Sequence, residues 1–191
     1  KYCTTVGDYV VIAGIPGVLA VAAAEGISLE KTSEVIGVAM HTMGLDWGDT
    51  TRIANVLAAA SAKTASSIES LGESLGYGGQ IAHQAGMSLE ETVAIMAKFH
   101  DAGLKGSTAG TGFQNAITQL SKPSEDGAAE LEKMGVTMDH TASGALDFIG
   151  IIDQVSVGLE KMPNNLARIA AANKIFGIRG GRAALAMMEA E

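Results

Sequence analysis

The chain has 191 residues, 47% of them apolar and only 4% aromatic, with a formal charge of −8. That length allows one substantial core or two small ones, and with a single Trp47 the core must come from Ala, Leu, Ile, Val and the nine Met. The negative balance argues against a general nucleic-acid binder, and the single Cys3 excludes an internal disulfide and fits synthesis in a reducing cytoplasm.

The charge is uneven: residues 161–191 carry Lys161, Arg168, Lys174, Arg179 and Arg182 against Glu189 and Glu191, about +3, leaving about −11 elsewhere. No Met begins the chain, as expected of a piece of a longer protein or a processed product. Tyr9–Ala24 is the most apolar run, but its sixteen residues contain Gly14, Pro16 and Gly17, and a bilayer crossing needs about twenty residues. No basic stretch of the secretory type precedes it. It reads first as a buried, kinked helix over residues 1–25, with membrane insertion as the alternative.

From Gly26 onward the pattern is helical. Gly26-Ile-Ser-Leu-Glu-Lys-Thr32 matches Gly86-Met-Ser-Leu-Glu-Glu-Thr92 at five of seven positions. Both lead into amphipathic segments ending near Gly44-Leu45 and Gly103-Leu104, followed by helices expected at Thr50–Ser61 and Thr111–Ser121. The offset of about sixty residues suggests a duplicated helical hairpin over 26–122. Between the copies, Ser66–Gly76 fits a short helix with Ser66 and Glu69 in capping-box spacing. Gly78-Gly79 is expected to break it before a last turn at Gln80–Ala85.

The segment Met87–Asp101 opens with Ser88-Leu-Glu-Glu91, a capping box, and places Leu89, Val93, Met96, Ala97 and His100 on one stripe. Then Gly103, Gly106, Gly110 and Gly112 fall within ten residues, interleaved with Ser107, Thr108, Ala109 and Thr111. Each interior glycine costs a helix about 1 kcal/mol relative to alanine, so this stretch predicts a tight corner. Residues 123–191 form a third region. Pro123 starts a helix to Met134, Val136–Ser143 is extended, and Gly144–Met162 is a long helix periodic at Leu146, Ile149, Ile152, Val155 and Leu159. Asn165 caps Leu166–Phe176, and Gly177, Gly180 and Gly181 form a last corner before a terminal helix to Ala190. The fold class is all-α: a multi-helix bundle of hairpins with Gly-rich corners.

Chemistry is sparse. His41, His83, His100 and His140 stand alone, and no metal-ligand spacing is completed. Glu90-Glu91 and Glu130/Glu132 are carboxylate pairs, yet acids in a first helical turn follow from the helix dipole, and a muralytic role would need an acid of raised pKa in a cleft. Ser107, Thr108 and Thr111 lack a GxSxG context. Gly106 feeds a helix N-terminus, which attracts anions, but Lys105 precedes the glycine, the Walker spacing is unmet and no strand leads in. Close helix packing is the better account of these glycines. No cofactor and no metal are expected, and the Met residues, among them Met40, Met43, Met87, Met96, Met187 and Met188, read as core fillers or an adaptable surface. The basic C-terminal segment reads as a solvated face, with an acidic partner surface or lipid head groups as the alternative.

Several of these runs resemble one family. Gly86–Thr92, then Asp101-Ala-Gly-Leu-Lys-Gly-Ser-Thr-Ala-Gly-Thr111 and Asn115-Ala-Ile117, are similar to the core region of phage tail tape measure proteins. A second signature of that family is echoed by Ile175-Phe-Gly-Ile-Arg179 and Arg182-Ala-Ala-Leu185, with further likeness at Asp46–Ala60 and Ser67–Gly76. The resemblance runs from Ala24 to Met188. Phe113-Gln114 replaces the usual Leu-Arg, and Asn55 stands where aspartate is frequent.

The resemblance implies a structural, non-enzymatic protein of a phage or prophage tail. It would act as a template setting tube length inside the tail tube or at its tip, and leave during infection to aid DNA delivery across the envelope. It implies as partners the tail tube protein, tail tip or baseplate hub proteins, tail assembly chaperones, further copies of itself and, during infection, the host membrane. The structural motif residues would be Gly103, Gly106, Ala109, Gly110 and Thr111, with Phe176, Gly177 and Arg179 as the second signature. The alternative is a membrane-active helical channel built on Tyr9–Ala24.

Overall fold

The computed structural model describes residues 17–19, 21–23, 26–141, 144 and 147–189. Their regular secondary structure is helical, with no strand among the described residues. After helical residues at 17–19 and 21–23 come α1 (Leu29–Met43), a 3₁₀ turn (Trp47–Asp49), α2 (Thr50–Lys63), α3 (Ile68–Gln84) and α4 (Leu89–Asp101). These are followed by α5 (Gly106–Ser121), α6 (Glu125–Met134), α7 (Phe148–Glu160) and α8 (Asn165–Glu189). Most of the run Tyr9–Ala24 lies outside the described residues; of its described part, Val21 and Ala22 are buried. Among the described residues no helix is long and apolar enough to cross a membrane.

Local signals set most helix starts. Ser28, Ser67, Ser88 and Ser124 each accept a backbone N–H of the first turn through their hydroxyl, and the Ser88–Glu91 box closes in both directions. Such caps satisfy donors that a helix leaves unpaired. Gly44 and Gly135, at φ of 64° and 70°, end α1 and α6 in the left-handed conformation that glycine adopts freely.

The helices α1, α3, α5 and α8 pack in that order, each against the next. Glycines sit where they cross. A methyl group on Gly72 would lie 2.7 Å from both Val35 methyls of α1, and one on Gly78 would lie 3.0 Å from the Gly110 carbonyl oxygen of α5. One on Gly110 would collide with the Ser74 carbonyl oxygen, and one on Gly112 would lie 2.7 Å from Ala183 Cβ of α8. Backbone thus meets backbone on both sides of α5. Around it the apolar face is filled by Phe99, Phe113 and Phe148, packed edge to face at centroid distances of 6.2 and 5.3 Å, a geometry that suits aromatic quadrupoles. Met40, Met43, Met87 and Met96 are buried in the same core.

Several expected breaks are absent. Gly78-Gly79 do not interrupt α3, because close contact with α1 and α5 supplies dispersion that offsets their poor helix propensity. For the same reason α5 begins at Gly106 rather than Thr111, and the true corner is only residues 102–105. The cap of α3 is Ser67 with Ser70, not Ser66 with Glu69. Pro123 precedes α6, whose cap is Ser124. Helix α7 starts at Phe148, which is buried while Ile149 is exposed, and Asn164 rather than Asn165 caps α8 through Ala167 N–H at 2.9 Å. Gly177 alone breaks α8 (φ 70°, ψ 169°). Beyond it the chain folds back so sharply that Gly181 lies against the Ala172 carbonyl, while Gly180 abuts Ala116 of α5. Gly180 and Gly181 are therefore packing positions inside the second half of α8, not part of the turn.

Candidate functional site

The glycine-rich start of α5 has one closed side and one open side. On the closed side α4 and α3 supply a buried polar cluster. His100, 1% exposed, places Nε2 at 2.9 Å from Ser74 Oγ and Nδ1 at 3.3 Å from Ser70 Oγ. The Ser74 hydroxyl proton goes to a carbonyl, Ser70 O at 2.8 Å or Gly106 O at 2.9 Å. That makes His100 Nε2–H the donor to Ser74, while Nδ1 sits 3.3 Å from the Ser70 hydroxyl, whose proton is directed to the Ser67 carbonyl at 3.0 Å. Burial pushes the His100 pKa below its ordinary value, the Lys105 charge adds to this, and Asp101 opposes it. His100 is a buried residue that ties α4 to α3, and Ser74 of α3 in turn reaches the carbonyl of the first residue of α5.

The corner itself grips the loop between α2 and α3. Asp101 Oδ1 accepts the Ala65 N–H at 2.6 Å, and Lys105 Nζ donates to the Ala65 carbonyl at 2.5 Å. The one lysine beside Gly106 is therefore engaged with protein backbone. Glu73 sets its carboxylate against Gly106, which complements the positive end of the α5 dipole. Gly103 and Gly106 have φ of 82° and 55°, which confines those turns to residues without a Cβ penalty. Ala109 and Gly110 are buried.

On the open side, a groove of about 400 Å³ separates the first turns of α5 from the second half of α8. Ser107, Thr108, Thr111 and Gly112 form one wall; Ile178, Arg179 and Arg182 form the other. The two sequence signatures thus meet in space: Thr111 faces Arg179 across the groove, with Phe176 buried behind it and Gly177 making the turn that brings the arginines over. Arg179 and Arg182 are exposed and form no ion pair among the described residues. No sequence spacing links residue 111 to 179; their meeting depends on the fold.

The carboxylate pairs do structural work. Glu90 receives both Arg52 Nε (2.7 Å) and Nη2 (2.6 Å), which holds its carboxyl below the usual range. Glu91 completes the Ser88 cap, Glu130 pairs with Lys174 at 3.0 Å, and Glu132 is exposed on the surface of α6. Among the described residues no group of three or more His, Cys, Asp or Glu is placed to hold a metal ion.

A family model described as phage-related minor tail protein matches residues 10–177. The chain is 30% identical over 170 residues to the tape measure protein of Pneumococcus phage Dp-1, covering 86% of this chain and 15% of that protein. It is 28% identical over 179 residues to the probable tape measure protein of Escherichia phage P2, covering 93% of this chain and 22% of that protein. The chain therefore spans about a sixth to a fifth of the length of these relatives. No solved structure matches it. With the family model matching most of its length, this all-helical chain belongs to the phage-related minor tail protein family.

Proposed function

We propose that this chain is the glycine-crossed helical portion of a tape measure protein, with a structural rather than catalytic role in the phage tail. The observation that carries the reading is the family match over residues 10–177, together with two tape measure relatives aligned over nearly the whole chain. In this reading the full-length protein lies in the tail tube, templates the stacking of tube protein so that its own length sets tube length, and leaves the tube during infection to aid DNA passage. The folded body described above would organise one end of the tape, contacting tip or hub proteins and tail assembly chaperones, in several copies per tail. The engagement of Lys105, Glu90, Glu91, Glu130 and His100 in internal contacts supports a scaffold over a reaction centre.

Quantitative peptide mass spectrometry on purified virions and separated tails tests it. Peptides of this chain recovered from tails at a few copies per particle are the expected result. Peptides found only in infected-cell membranes and never in tails would overturn it.

A further inference from the structure

The chain carries two grooves of opposite chemistry on either side of the start of α5. The first, between α5 and α8, presents Arg179 and Arg182, neither in an ion pair among the described residues, beside Ile178, which is 82% exposed. The second, of about 550 Å³ between α1 and α3, presents Glu69, Glu73 and Tyr77 at successive turns of α3, with Tyr77 52% exposed. There Lys31 is paired with Glu34 at 2.7 Å, while Glu69 and Glu73 form no ion pair among the described residues.

Each groove thus presents two charges of one sign that form no ion pair among the described residues, beside one exposed large side chain. In the acidic groove Lys31 also attracts Glu69, and Glu73 lies against Gly106, so the groove keeps a net negative charge. The spacings correspond: Arg179 and Arg182 lie three apart on one helix, Glu69 and Glu73 four apart on another, so each pair occupies one helical face. Arginine beside an exposed apolar anchor is a composition favoured in protein interfaces. A nucleic acid suits the basic groove less well, because two cations neutralise few phosphates and the chain as a whole is at −8.

We infer that the arginine groove of one copy docks onto the acidic groove of a second copy, Arg179 and Arg182 against Glu69 and Glu73, with Ile178 and Tyr77 in apolar contact. The two surfaces differ, so the contact is heterologous: it runs head to tail and closes into a ring or extends according to its rotation. This deepens the self-association in the functional reading by naming its surfaces, and it can stand if that reading falls.

The test is sedimentation of the 191-residue chain and of two charge-reversed variants, R179E/R182E and E69R/E73R, alone and mixed. Arg179, Arg182 and Glu73 are exposed and Glu69 is half-buried. Because Glu73 also lies against Gly106 at the start of α5, circular dichroism and denaturant unfolding verify that each variant folds before its association is compared. The wild type should associate in a concentration- and salt-dependent way, and each variant alone should associate at least about tenfold more weakly, since like charges then face each other. An equimolar mixture should recover association, because wild-type grooves then meet each other and reversed grooves meet each other. A wild type that stays monomeric, or association unchanged by either reversal, overturns the inference. So does retention of the wild type on DNA that R179E/R182E abolishes while sedimentation is unaffected. A chain that associates as described but is missing from tails would leave this contact standing and sink the tail reading.

Discussion

The two sides of α5 differ in kind. Toward α3 and α4 its first turns are sealed: Gly110 touches the Ser74 carbonyl, and the Gly106 carbonyl is bonded to Ser74, which is bonded to His100. Toward the groove the same turns show hydroxyls to solvent, and α8 opposite them presents two arginines that form no ion pair among the described residues. Residues one or two positions apart, Gly110 and Thr111, therefore answer to different demands. Gly110 is required by how closely two backbones approach, whereas Thr111 and Arg179 are free of that demand and available to a partner. A short motif in which all residues look equally characteristic can thus contain a part that makes the fold and a part that faces outward.

Substitutions should separate the two sides. The largest effect belongs to Gly110→Val, which forces side-chain atoms into Ser74 and Tyr77 of α3; overpacking at a backbone contact should cost about 3 kcal/mol in denaturant unfolding. Next comes Ser74→Ala, which strips His100 of its Nε2 partner inside the core and should cost about 2 kcal/mol by the same assay. If either variant is as stable as wild type, the closed side is not closed.

A pH titration sharpens the same point. The folded His100 pKa lies below its ordinary value, so as pH falls through that value the unfolded chain takes up a proton that the folded chain resists. Stability should then decline as pH falls below about 7, since the unfolded state binds more protons there. The slope over that window should be shallower in His100→Gln. Glu90 behaves differently: its carboxyl is held low by Arg52, so its contribution is present above the ordinary carboxylate range and is lost as pH falls through the lowered value. Both partners are about half exposed, so Glu90→Gln should cost less than about 1 kcal/mol near neutrality. The smallest effect belongs to the open side: Arg179→Ala should leave unfolding within about 0.5 kcal/mol of wild type.

What was legible in the sequence follows from range. Helix α4 could be read closely, because the Ser88–Glu91 cap and the stripe from Leu89 to His100 are local signals that the fold did not overrule. Its burial pattern includes His100 as expected. Helix propensity alone predicts breaks at 78–79 and 106–110, because it counts only the cost within one helix. The compensating contacts come from Thr42, Met96 and Phe113 at Gly78-Gly79 and from Ser74 and Tyr77 at Gly110, all on other helices, and no local rule contains them. Gly177 is the converse, a glycine that does break its helix, and nothing nearby in the sequence distinguishes it from Gly180 or Gly181. The inward turn of Phe148 in place of Ile149 is likewise decided by Phe113 across the core. As for the candidate site, both signatures were visible, but their meeting across one groove was not, since Thr111 and Arg179 are brought together only by the fold-back at Gly177.

Arginine-selective footprinting of the free chain and of purified tails, read residue by residue, tests most directly whether α5 is closed for the fold and open for a partner. Arg52, already bound to Glu90, provides the internal reference. The account predicts that Arg179 and Arg182 react readily in the free chain and become protected in tails, while Arg52 reacts alike in both. Equal reactivity of Arg179 and Arg182 in the two preparations would contradict it, and would mean that the open side of α5 faces no partner in the particle.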